Sequence, residues 1–330
     1  MRFLRGLILV LLLCSFAAVA YIAFSLTAPY RGFGQEAFLD LPKGTSTLQM
    51  AGMLRKRGVI RHSWAFLAAR LVRRGARLQA GEYRFTKPAS VLEVFDRIAR
   101  GDIFYYELVV PEGKNMFDIA AEVERMGLFP AAQFLRAARN PALVRDMDPE
   151  APTLEGYLFP NTYRLSRRTS PDHLCRIMTG EFRDVWRGLH TGAAVHRTVT
   201  LASLVEKEGK LPDERPVIAS VFLRRLAIGM KLDCDPTTIY AALLTGNQHR
   251  ALYRSDLANG NPYNTYRHAG LPPGPIANPG LASIEAVLHP ADTDYLYFVL
   301  RPDGSGRHHF STNLVAHQAA IARYRRALAR

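Results

Sequence analysis

The longest apolar run comes first. From Leu7 to Leu26, 20 residues pass without a charge, enough helix to cross the hydrocarbon core of a bilayer. Shorter patterns follow. Met50, Ala51 and Leu54 share a helical face, as do Ile119, Ala120 and Val123, with the three-and-four spacing of an amphipathic helix. "LQAGEYRF" (78–85) alternates and predicts a strand, "SVLEVFDRIARG" (90–101) a helix stopped by glycine, and "YYELVVPEG" (105–113) a strand and turn. Helical patterns occupy 171–188, 195–208 and 214–228. Asp235-Pro236 reads as an N-cap followed by proline at the first helical position. Strands are expected at 294–300 and 307–313 and a closing basic helix at 314–328. "NPYNTYRHAGLPPGPIANPG" (261–280) holds too much Pro, Gly and Asn for regular structure; a loop of that length in a compact domain usually serves function.

Charge and composition narrow the setting. Arg2 and Arg5 precede the apolar run, which sets the N-terminus in the cytoplasm and the remainder across the membrane. Ala18-Val19-Ala20 resembles a signal cleavage site, but the run continues past it, which favours an uncleaved anchor. The 330 residues carry a net charge of +14, which suits nucleic acid, phospholipid headgroups or acidic wall polymers alike. The basic residues are spread along the chain, and the membrane-crossing start excludes a cytosolic nucleic-acid partner. Cys14 lies in the apolar run; Cys175 and Cys234 could pair in an oxidising compartment but need not. No Cys and His spacing suggests a metal, and neither metal nor cofactor is expected. His308, His309 and His317 read as surface or hydrogen-bonded residues.

A repeat organises the next part. "LPKGTSTLQMAGMLRKRGVI" (41–60) aligns without gaps to "VPEGKNMFDIAAEVERMGLF" (110–129). Each copy runs strand end, Pro-x-Gly turn, helix, glycine stop. The unit is a common strand–turn–helix used twice, or a small glycan-binding module, since the pattern resembles the LysM type. The expected organisation is a cytoplasmic N-terminus at 1–6, the membrane helix at 7–26, a linker at 27–37, a LysM-like α+β region at 38–130 and a catalytic domain at 131–330.

Candidate chemistry centres on "TLASLVEKEGK" (200–210). At about 100° per residue, Glu208 falls on the face of Leu201, Leu204 and Val205. Glu206 sits to the side, where Lys210 can pair with it one turn on. Burial raises a carboxyl pKa, the condition for a general acid that protonates a glycosidic oxygen. The plainer alternative is a buried carboxylate tied to arginine or backbone donors, and periodicity leaves both open. An ordinary glycosidase adds a second carboxylate, for which Asp235 and Glu155 are available. Tyr157 and Phe159, beside Glu155, suit a sugar-stacking wall or a core equally. Asn264, Thr265 and Tyr266 could hold sugar hydroxyls and N-acetyl groups, or cap their own turns.

"LEGYLFPNTY" (154–163), "ASLVEKE" (202–208), "ASVFLRRLAIGMKLDCDPTTIY" (219–240), "YNTYRHAGLPPGPIANPG" (263–280), "HPADTDYLYFV" (289–299) and "HHFSTNLVAH" (308–317) together resemble the YceG-like family, the MltG-type endolytic murein transglycosylases. The likeness spans nearly the whole chain. It implies an α+β protein: an N-terminal transmembrane helix, a LysM-like subdomain and a mainly helical, mixed α+β catalytic domain. The setting implied is the inner membrane, with the catalytic domain in the periplasm. The activity implied is cleavage of nascent peptidoglycan strands between N-acetylmuramic acid and N-acetylglucosamine, leaving 1,6-anhydro ends, with peptidoglycan synthases as companions. The family's catalytic glutamate corresponds to Glu208. Glu155, Tyr157, Asp235, Thr237, Tyr240, Asn264, Thr265 and Tyr266 fall in the matched motifs as substrate-binding candidates. Tyr157 and Tyr163 stand where the family also carries Trp, and Gly209-Lys210 replaces a small polar pair, which bears on subsite preference. A non-catalytic wall-binding module and a two-carboxylate hydrolase are the rival readings.

Overall fold

The computed structural model describes residues 2–247 and 254–328. The chain divides into two compact units, up to Tyr106 and from Glu107 onward.

The first unit opens with α1 (Arg2–Thr27), whose segment Phe3–Thr27 is long and apolar enough to cross a membrane. Met1 and the Arg2 side chain lie outside the described residues. Then come β1 (Ala37–Leu41), α2 (Thr47–Lys56), α3 (Ser63–Val72), β2 (Gly81–Phe85) and α4 (Val91–Arg100). β1 and β2 pair antiparallel, Ala37 opposite Phe85 and Leu41 opposite Gly81. Ala37, Leu39 and Leu41 alternate inward onto Leu54, Phe66, Phe95 and Ile98. Ser46 and Ser90 each close a capping box, with Gln49 and Glu93, which fixes where α2 and α4 start. The α3 helix carries no start signal of this kind, and the sequence patterns did not mark it.

The second unit contains β3 (Tyr106–Val110), α5 (Met116–Arg125), α6 (Ala131–Ala138), β4 (Asn161–Leu165), α7 (Pro171–Gly188), α8 (Val195–Glu208), α9 (Arg215–Ala227), α10 (Asp235–Leu244), α11 (Arg254–Leu257), α12 (Leu281–Leu288), β5 (Tyr297–Leu300), β6 (His308–Ser311) and α13 (Leu314–Leu328). β3 pairs with β4, and β5 runs antiparallel to β6. This is a helical body with short two-stranded sheets at its margins. α8 runs through the core: every residue from Thr198 to Val205 is buried, against α9, α10 and Ala286 of α12.

The two repeat copies fold alike. β1 and α2, shifted by 69 residues, coincide with the bounds of β3 and α5. The helices start at capping boxes on Ser46 and Asn115 and bury matched apolar residues. The compact units divide between Tyr106 and Glu107. The second copy belongs to the second unit, because its turn and helix start are fastened there. Gly113 N–H donates to the Asn278 carbonyl at 2.9 Å, Asn278 N–H returns a bond to the Lys114 carbonyl, and Met116 N–H donates to Glu155.

Candidate active site

The second unit holds a cleft of about 770 Å³. The Pro-x-Gly turn and α5 form one wall, through Gly113, Asn115 and Phe117; α10 forms another, through Pro236, Ile239 and Tyr240. Glu206 and Lys207, at the end of α8, line it as well. Glu208 is the next residue and the last of α8.

Glu208 is half-buried, and its Oε1 accepts one bond, from the Cys234 thiol at 3.4 Å. Loss of solvent pushes its pKa up to about 7; the thiol and Lys207 pull it down, and the nearby Asp235 charge pushes it further up. Cys234 is buried, with its thiol pKa pushed well up by burial and by Glu208. It therefore stays protonated as a donor. Its backbone N–H donates to Thr265 Oγ1 at 3.0 Å, and its carbonyl accepts from Thr237 Oγ1 at 2.6 Å. The Thr237 and Thr265 hydroxyls meet at 2.9 Å. These two threonines fix the backbone that carries the thiol.

Glu206 departs from the expected exposed pair with Lys210. Its side chain is 5% exposed and accepts from Arg215 Nη2 at 3.1 Å, Gly280 N–H at 3.0 Å and Ser283 Oγ at 2.7 Å. The helical wheel misassigned it because α8 is buried on every side from Thr198 to Val205, so apolar positions there do not mark a solvent face for the turn that follows. A Cβ at Gly280 would meet the flexible, half-exposed Glu112 side chain, which would have to move aside.

Asp235 is not the N-cap of α10. Cys234 holds that position without a side-chain bond, and Asp235 is the first helical residue. Its carboxylate instead accepts from Tyr266 Oη at 2.5 Å, leaving Asp235 exposed beside Glu208. Burial and the Asp235 charge push the Tyr266 pKa up.

Several substrate-binding candidates prove to be built into the protein. Glu155 is fully buried and accepts from Met116 N–H at 2.9 Å, Tyr240 Oη at 3.0 Å and Asn278 Nδ2 at 3.0 Å. Burial pushes its pKa up to about 8, against these donors. Tyr157 is a core residue whose hydroxyl donates to Asp148 and whose ring packs edge-on against Phe182. It forms no sugar-stacking wall. Asn264 is fully buried and spends its amide on the carbonyls of Asp256, Leu257 and Asn259, while Oδ1 accepts from Tyr266 N–H. Thr237 and Thr265 are buried in the Cys234 frame. Tyr240 borders the cleft, its hydroxyl turned to Glu155. Tyr266 and Asp235 remain in reach of a ligand.

Sequence reasoning passed over the residues that hold the site together. Asn278 accepts from the Gly156 and Leu158 amides and donates to Lys114 and Glu155. Gly156 adopts φ +89° with Pro275 pressed against it, which a side chain would not tolerate. Cys234 and Arg215 were missed too. A buried Asn in a Pro-Gly loop has no periodic signal, though lying within a quoted motif was a hint. Cys175 and Cys234 are free thiols.

The model of the YceG-like family matches residues 39–323. The chain belongs to this family. Its relatives include a protein of Bacillus subtilis (strain 168) named endolytic murein transglycosylase, 33% identical across 87% of this chain and 84% of that one. A protein of the same name from Streptococcus pneumoniae (serotype 2) is 27% identical over 87% of this chain; the match spans 58% of that longer protein. A crystal structure of a yceG-like protein from Listeria monocytogenes is 30% identical, with a TM-score of 0.56, covering 86% of this chain and 98% of that one. As a YceG-like chain, the protein combines an N-terminal apolar helix with a mixed helical and stranded body.

Proposed function

We propose that this protein is a membrane-anchored endolytic lytic transglycosylase of peptidoglycan, with Glu208 as its acid and base. The observation that carries this is the contrast in carboxyl engagement. Glu206 and Glu155 are saturated with donors, whereas Glu208 accepts one thiol bond and is pushed up to about 7. A carboxyl so placed holds its proton near neutral pH and gives it up readily, which general acid catalysis requires. It donates that proton to the oxygen leaving N-acetylmuramic acid in its β-1,4 link to N-acetylglucosamine. It then withdraws the proton from the muramyl C6 hydroxyl as that oxygen closes on C1, giving a 1,6-anhydro end. The nucleophile belongs to the sugar itself, so attack gains from proximity and no second carboxylate has to orient water.

Cutting within nascent strands would make the enzyme a terminator of glycan elongation beside peptidoglycan synthases. Arg2 and Arg5, ahead of the apolar run within α1, support a body on the periplasmic side. Asp235, exposed near Glu208, supports a hydrolase as the alternative. Mass analysis of products from purified glycan strands decides between them. Anhydro ends, lighter by one water than hydrolysis products, are expected; mainly reducing-end muramic acid would overturn the transglycosylase in favour of the hydrolase, and intact strands would leave a binding protein.

A further inference from the structure

The α3 helix (Ser63–Val72) carries two apolar stripes where a soluble unit needs one. Ala65, Phe66 and Ala69 face the core. On the other side Trp64, Leu71 and Val72 are 38%, 66% and 57% exposed. Their spacing of i, i+7 and i+8 brings the three to neighbouring positions on the outer side of the helix.

What lies opposite that face follows from α1. This helix is docked on the first unit before it ends: Leu26 is buried in the unit's core, and the Tyr21 ring lies 6.0 Å from that of Trp64. Between Phe3 and Ala20, with the long Arg5 side chain reaching back to the headgroups, the helix spans roughly 27 Å at 1.5 Å per residue, close to the roughly 30 Å thickness of a bilayer's hydrocarbon. The membrane-buried segment then ends short of the expected Leu26, which is held in the unit's core. The edge of the hydrocarbon then falls at the Tyr21–Trp64 pair, where aromatic side chains concentrate in membrane proteins. The chain around α3 is strongly basic. Arg73 is engaged by Asp96, but Arg61, Arg74 and Arg77 are exposed, and such residues near a surface are attracted by anionic headgroups.

We propose that the outer face of α3 is a membrane-contact surface, seated on anionic phospholipid headgroups of the bilayer that α1 enters. This rests on the reading of α1 as the membrane anchor. Trp64, Leu71 and Val72 enter the boundary between headgroups and chains, and the arginines reach the phosphates, as in other interfacial amphipathic helices. The first unit is thereby held flat against the membrane instead of hanging from a flexible linker.

The test uses the full chain in vesicles of phosphatidylcholine, with and without phosphatidylglycerol. The sequence holds two tryptophans, so Trp186→Phe leaves Trp64 as the sole reporter. Brominated lipid should quench Trp64, more strongly with phosphatidylglycerol present. Leu71→Glu with Val72→Glu, at exposed positions, should abolish most of that quenching without loss of fold. Arg74→Glu with Arg77→Glu should remove the dependence on anionic lipid. Phe16→Trp, in a chain lacking both native tryptophans, reports α1 insertion separately. If that probe escapes brominated lipid, the anchor itself fails. If it is quenched while Trp64 is reached by aqueous iodide and not by lipid, the α3 surface is overturned. Trp64 shielded from both quenchers would mean a protein partner covers α3, and equal quenching in neutral vesicles would remove the anionic headgroups; either result refutes the proposal.

Discussion

Two polar regions at the end of α8 can be set side by side. Around Glu206, an arginine, a backbone amide and a serine hydroxyl converge on a buried carboxylate. Around Glu208 there is one thiol, a second carboxylate nearby and an exposed lysine. The residues are two apart on one helix, but the first is arranged to hold a charge and the second to resist one. A catalytic carboxyl is therefore recognised by what its surroundings leave unsatisfied, more than by its burial. The Glu206 side chain is 5% exposed, while Glu208 is half-buried.

The largest expected effect comes from Glu208→Gln. An amide keeps the shape but cannot donate and recover a proton, so turnover should fall by about 10² to 10⁴, equivalent to about 3–5 kcal/mol of barrier. The melting temperature should hold. Release of muropeptides from purified strands measures the first and thermal unfolding the second. An active Glu208→Gln enzyme would erase the contrast between the two regions.

Glu206→Gln should behave in the opposite way. Removing the charge leaves the buried Arg215 guanidinium without its closest carboxylate, and breaking such a pair costs about 3 kcal/mol or more. The Arg215 bond to the Gly209 carbonyl and its wider contact with Glu112 soften the loss. Denaturant unfolding should show the destabilisation, while turnover per folded molecule stays close to that of the parent. An undisturbed unfolding midpoint would mean the Glu206 cluster contributes nothing to stability.

What could be foreseen from sequence follows the same division between local and distant causes. Both repeat copies were visible because caps, glycine stops and apolar spacing act within a few residues. Glu208 was marked, but for an incomplete reason. The wheel placed it on an apolar face, whereas α8 is buried all round from Thr198 to Val205, and the same wheel sent Glu206 to solvent. Asp235 reads as a cap because Asp before Pro usually is one; Tyr266, 31 residues on, claims its carboxylate instead. Asn264, Thr265 and Tyr157 looked like ligand residues because polar and aromatic side chains in motifs do. Their partners, such as Asp148 for Tyr157, are set by tertiary packing, which no local pattern encodes.

The pH dependence sharpens the comparison further. Glu208 must enter the reaction protonated, so activity should decline as pH rises through about 7. Stability has the same sign. The folded chain holds this proton more tightly than the unfolded one, whose carboxyl titrates near about 4.3. The stabilisation is fully present below that value and is lost as pH rises through the folded value. Unfolding between about pH 5 and 8 should show stability falling by at most about 1.4 kcal/mol per unit from this group. Glu208→Gln should flatten the slope in part, since Glu155, pushed up to about 8, titrates in the same sense. A slope that Glu208→Gln leaves unchanged would show this carboxyl to be ionised throughout the range.

The smallest effect should come from Cys234, and it isolates the one bond Glu208 accepts. The thiol favours the ionised carboxylate and so lowers the Glu208 pKa. Cys234→Ala removes that donor while leaving the backbone bonds to Thr265 and Thr237 in place, because they use the main chain of residue 234. The alkaline limb of the activity profile should move to higher pH, with turnover at its plateau changed far less than in Glu208→Gln. Cys234→Ser supplies a stronger donor at the same place and should move the limb back. A role confined to packing makes a different forecast, since serine and alanine would then differ only in stability and share one pH profile. That result would leave Glu208 governed by burial, Asp235 and Lys207.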